Sequence, residues 1–147
     1  MRAIDFLLQL KKLDKMIENK LIEIEKWKAI ATGTTAHLGG ERVQSSGNQQ
    51  KTETAILKFV EIEEEIYRCI DDMISTKKDV ITVLEQLNAS EYDLLHKMYV
   101  QYFTLQEIAE INDKSISWAK TIHRRGIKNV QRILDRRAEC PKVTESA

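Results

Sequence analysis

From Ala3 to Ala31 the apolar residues Phe6, Leu10, Leu13, Ile17, Leu21 and Ile24 recur at spacings of three and four, with Lys, Glu and Asp between them. This is the pattern of an amphipathic helix. At a rise of 1.5 Å per residue it spans roughly 42 Å, so its apolar stripe needs a partner helix. Residues 32–51, TGTTAHLGGERVQSSGNQQK, carry no such period and hold Gly33, Gly39, Gly40 and Gly47, which predicts a long polar loop. A second helix is predicted from Thr52 to Leu87, with Ile56, Phe59, Ile62, Ile66, Ile70, Met73, Val80, Leu84 and Leu87 on one side. Thr52 or Thr54 is placed to cap it, and Glu53, Glu61, Glu63, Glu64 and Glu65 load its N-terminal half with negative charge, as the helix dipole favours. Folding back on the first helix, it makes an antiparallel hairpin. Stripes this narrow are also those of coiled coils, so a homo-oligomer formed through this arm is expected.

Asn88, Ala89 and Ser90 break the period, and Ser90 with Asp93 is expected to cap a third helix that buries Leu94, Leu95 and Met98. Tyr99, Tyr102 and Phe103 are expected to close that small core. Thr104 and Glu107 then stand three apart before Leu105, Ile108 and Ala109, the arrangement of a capping box, and predict a short helix from 105 to 111. Asn112, Asp113 and Lys114 end it, since Asn and Asp tolerate the left-handed backbone of a sharp turn. Ser115 caps the next helix, whose inward side is Ala119, Ile122, Gly126, Val130 and Ile133. A mid-helix glycine costs about 1 kcal/mol against alanine, so Gly126 reads as a place where a neighbouring helix comes close. The spacing of these two helices and their turn is that of a helix-turn-helix.

Charge sharpens this reading. Between 112 and 137 stand Lys114, Lys120, Arg124, Arg125, Lys128, Arg132, Arg136 and Arg137 against Asp113 and Asp135, while the whole chain sums to zero. A basic end on a neutral chain points to an anionic polymer. Lys120, Arg124, Lys128, Arg132 and Arg136 fall every fourth residue and form a band able to follow a phosphate backbone. In a helix-turn-helix the start of the second helix enters the major groove, which singles out Ser117, Trp118, Lys120, Thr121 and Arg124. Lys120 and Arg124 suit guanine edges, and Ser117 and Thr121 suit any base. Trp118 is divided between packing and the DNA backbone. Arg125, Lys128 and Arg132 suit phosphates, which fix register without reading sequence.

The stretch LNASEYDLLHKMYVQYFTLQEIAEINDKSISWAKTIHRRGIKNVQRIL, residues 87–134, resembles DNA-reading region 4 of bacterial sigma factors. Asp113 stands where that family usually has a turn glycine. Over nearly the whole chain, LKKLDKMIENKLIEIEKWKAIA, ERVQSSG, EIEEEI, DLLHKMYVQ and SISWAKTIHRRG are similar to small phage transcriptional regulators of the ArpU/RinA type. That resemblance implies a phage or prophage late-gene activator; the expected partner is double-stranded DNA, with the arm used for oligomerisation or RNA polymerase contact, and the signature ERVQSSG makes the polar loop a candidate contact. A small-terminase-like packaging protein and a sigma-like polymerase-binding protein without DNA contact are the alternatives.

One proline, few aromatics and abundant Leu, Ile, Glu and Lys place the chain in the all-α class. The expected organisation is a helical hairpin over 1–87 with its loop at 32–51, a helix-turn-helix domain over 88–137 and a frayed tail over 138–147. Cys69 and Cys140 are far apart, and His37, His96 and His123 stand on separate elements with no ligand spacing, so no metal and no cofactor are expected. The acids at 61–65 point to different sides of a helix, and no nucleophile or phosphate-cradling motif occurs, so catalytic residues are not expected either. No leader or membrane span is read from the chain, and the expected location is the cytoplasm.

Overall fold

The computed structural model describes residues 1–33 and 46–140, with the side chains of 46–48 left out. Among these residues the protein is all-α: α1 (Ala3–Ala31), α2 (Ser46–Leu84), α3 (Ala89–Tyr99), α4 (Leu105–Ile111) and α5 (Ile116–Glu139). The expected loop signature ERVQSSG lies outside the described residues except for its last two positions, and so does His37. Ser46 and Gly47 open α2 instead. The helix thus begins six residues before the expected Thr52, and neither Thr52 nor Thr54 is its cap. Residues 46–51 contain no apolar side chain, so a reading based on hydrophobic period could not see them, although Gln and Lys are good helix formers.

By internal contacts the chain forms two compact units, one of Leu13–Met73 and one of Met1–Lys12 together with the chain from Ile74 onward. In the first, α1 and α2 run antiparallel. Ile24, Ile62 and Ile66 are buried together with Trp27 and Phe59 packed on them, and Lys20 Nζ donates to Glu65 Oε2 at 2.6 Å. That bond holds the Glu65 carboxyl below its ordinary range. The expected single apolar side of α2 is divided: Ala55, Ile62, Ile66 and Cys69 are buried, but Ile56 and Ile70 are open to solvent.

The second unit contains the helix-turn-helix and more. Where a boundary was expected after residue 87, the first turns of α1 and the last turns of α2 are part of the same body. Leu7 and Leu10 from α1, Val80, Val83 and Leu84 from α2, Leu94 and Leu95 from α3, Ile108 from α4 and Val130 from α5 are all at most 2 % exposed. The helices α3, α4 and α5 alone cover little apolar area, and the ends of α1 and α2 supply what is missing. The chain start is also bonded to α5: Ala3 N donates to Gln131 Oε1 at 2.8 Å, and Gln131 Nε2 donates to the Met1 carbonyl at 3.3 Å.

Local caps explain the short elements. The N-cap of α3 is Asn88, not the expected Ser90, and its side chain accepts from the Glu91 amide. Both residue types serve as caps, and the choice falls to the one at which the chain leaves α2. Thr104 caps α4 as expected, accepting from the Glu107 amide at 3.2 Å while its hydroxyl donates to the Glu107 carboxylate at 3.1 Å. Tyr102, expected in the core, is exposed and takes a positive φ of 64° at the bend between α3 and α4. The bend turns its ring away from the buried layer. Cys69 and Cys140 are both free.

Candidate nucleic-acid interface

The turn between α4 and α5 is fully bonded. Asp113 has φ 52°, the left-handed conformation a glycine usually supplies. Its amide donates to the Glu110 carbonyl and the Lys114 amide to the Ala109 carbonyl, the paired bonds of a Schellman motif. Asn112 adds its side-chain amide to the Ile108 carbonyl at 2.8 Å. Ser115 then caps α5 by accepting from the Trp118 amide at 3.1 Å. The direction of α5 relative to α4 is therefore set by backbone bonds at one end of a short link and a side-chain cap at the other.

Packing fixes which side of α5 faces out. Ala119, Ile122, Gly126, Val130 and Ile133 are buried. An alanine Cβ at Gly126 would stand 2.8 Å from Leu95 Cδ1, so α3 and α5 approach as closely as that residue permits. With the inward side defined, helical geometry puts Ser117, Thr121, Arg124 and Lys128 within about 40° of the outward pole, with Lys120 and Arg125 flanking them on opposite sides. Ser117, Lys120, Thr121, Arg124, Arg125, Lys128 and Arg132 are all exposed, and Trp118 is half-buried. The structure thus brings seven of the eight expected residues onto one solvent-facing band. The Thr121 hydroxyl donates to the Ser117 carbonyl at 2.9 Å, which leaves its oxygen as an acceptor for outside groups.

The charge on this band is uncompensated. Among the described residues, Lys120, Arg124, Arg125, Lys128, Arg132 and Arg136 form no ion pair, whereas Arg137 is bound to Asp79 at 2.8 Å. Arg137, counted in the basic run, therefore belongs to the packing of α5 against α2. Arg132 is held in place differently. Buried Glu91 accepts from Asn129 Nδ2 at 2.9 Å, and Asn129 Oδ1 accepts from Arg132 Nη1 at 3.2 Å.

The sequence reading missed several neighbours of the band. A cleft of about 380 Å³ beside it has Ile4, Leu105 and Ile127 as apolar lining, with Lys120, His123, Arg124 and Lys128 around them. Ile4 is brought there by the Gln131 bonds, a long-range contact that no local pattern announces. His123 is engaged within the protein: its Nε2 lies 2.8 Å from the Tyr99 hydroxyl and the two rings stack.

Burial lowers the His123 pKa, and burial followed by the charge of Lys77 lowers that of His96. The unfolded chain, with ordinary imidazoles near 6.5, takes up protons first as pH falls. The contribution of these two histidines to stability is therefore fully present above about 6.5 and is lost as pH falls from there through their lowered folded values. Denaturant midpoints at pH 7.5 and 5.5 should differ less in His123→Gln than in the parent, and less again when His96→Gln is added. Parallel pH slopes in all three proteins would refute this origin.

No described helix is long and apolar enough to cross a membrane. No curated protein and no solved structure matches the chain. Residues 83–132 do match the family described as Sigma-70, region 4. The matched span runs from the end of α2 through Thr104, the Asp113 turn and the cationic band to Arg132, and this part of the chain is a helix-turn-helix similar to that family.

Proposed function

We propose that the chain is a sequence-specific transcriptional regulator that reads promoter DNA with α5 and acts by binding rather than by catalysis. The observation that carries this reading is the row of exposed, unpaired cations on the outward side of α5, in a segment that matches Sigma-70, region 4. Cations already neutralised by the protein's own acids would release few counterions on meeting DNA; these are free to do so. Lys120 and Arg124 are assigned to base edges, with Ser117 and Thr121 beside them. Arg125, Lys128 and the tethered Arg132 are assigned to phosphates. Trp118, half-buried, lies against the sugar-phosphate backbone with its exposed edge.

The likeness to ArpU/RinA-type regulators supports a role in activating phage or prophage late genes, with RNA polymerase as the second partner. Selection of bound duplexes from a random library by the full chain tests the DNA assignment. One enriched motif is expected, bound less tightly as salt rises. Absence of binding to any duplex at low salt would overturn it.

A further inference from the structure

Within the Leu13–Met73 unit α2 carries two apolar rows. One, containing Ala55, Ile62, Ile66 and Cys69, is buried. The other, Ile56, Val60, Tyr67 and Ile70, stands about 100° further round the helix and is open, at 48 %, 46 %, 61 % and 37 % exposure. Leu57 borders it at 71 %. With Glu63 in the middle, its spacing is four, three, four, three, which keeps one line on a helix that meets another. Single exposed apolar residues are ordinary; a row at heptad spacing marks an interaction surface.

The charges around the row identify the occupant. Glu63 lies in it, and Glu53, Glu64 and Asp71 lie within about 80° of its centre, whereas the cations of this part of α2, Lys51, Lys58 and Arg68, lie more than about 110° away. We propose that this row docks an amphipathic helix of another protein whose apolar stripe is flanked by Lys and Arg. A second copy of the chain, the occupant expected from stripe width alone, would set Glu63, Glu64 and Asp71 against acids of its own kind, and like charges at the edge of a helix pair oppose association. The proposal is independent of DNA binding by α5.

The probes are two synthetic helical peptides of about four heptads with Leu at a and d, one with Lys and one with Glu at e and g, titrated against the full chain by fluorescence anisotropy. The Lys peptide should bind and the Glu peptide should bind at least about tenfold more weakly. V60E/I70E should lower affinity for the Lys peptide by at least about tenfold, although it adds two negative charges that diffuse attraction would reward. E64K/D71K, which leaves the apolar row intact, should move the preference toward the Glu peptide, and it keeps the test readable if V60E/I70E loses helicity. Equal or tighter binding of the Lys peptide by a folded V60E/I70E, no binding of either peptide, or a parent dimer abolished by V60E/I70E in sedimentation would overturn the proposal.

Discussion

In K120A/R124A, affinity for the selected duplex should fall by about 30- to 1000-fold, corresponding to about 2–4 kcal/mol, and the slope of log affinity against log salt should become shallower by about one to two. Both side chains are exposed near the outward pole of α5 and neither is spent on an ion pair. Their removal takes away charge that only a partner neutralises. Folding stability should change by less than about 0.5 kcal/mol, because neither side chain touches the core. R137A provides the contrast. Its guanidinium is bound to Asp79, so its loss should cost up to about 1 kcal/mol of stability and leave the salt slope unchanged. Anisotropy titrations at four salt concentrations, with thermal melts alongside, separate the two. A K120A/R124A protein with parental affinity and slope would mean that α5 does not meet DNA with this side.

Most of the turn and of the outward side of α5 was legible because its determinants are local. Thr104, Ser115 and Asp113 each act within about one turn of themselves, and a cap or a left-handed residue is recognisable from its neighbours. Gly126 was legible for a related reason: a glycine inside an amphipathic helix needs an explanation, and Leu95 supplies it. The misreadings lie where a choice depends on distant chain. Asn88 and Ser90 are equally competent caps until the path from α2 decides between them. Ile56 and Ile70 fall at the edge of a broad apolar side, and only the position of α1 shows that they face away from it. The joining of Met1–Lys12 to the helix-turn-helix unit rests on contacts such as Ala3 to Gln131, more than a hundred residues apart, and no periodicity encodes them. A residue count cannot distinguish Arg137, which is paired with Asp79, from Arg124, which forms no ion pair among the described residues.

Gly126 also gives a large expected effect on stability. In most exposed helices replacing glycine by a residue with a side chain gains about 1 kcal/mol. Here a Cβ would lie 2.8 Å from Leu95 Cδ1 and 3.2 Å from its Cγ. Leu95 is fully buried, so it has no solvent to swing into, and the strain falls on the spacing of α3 and α5. Gly126→Val adds two further carbons to the same place and should destabilise the protein by about 3 kcal/mol, the upper end of ordinary overpacking. Leu95→Ala alone should cost about 2–5 kcal/mol through the cavity it leaves. Combined, the two changes offset one another, since the valine enters space the leucine has vacated, and the double variant should be at least about 1 kcal/mol more stable than the sum of the singles. Urea unfolding of the four proteins completes the cycle. Strict additivity would show that α3 and α5 are not held at this distance by the missing side chain, and would remove the physical reason for the angle at which the cationic band is presented.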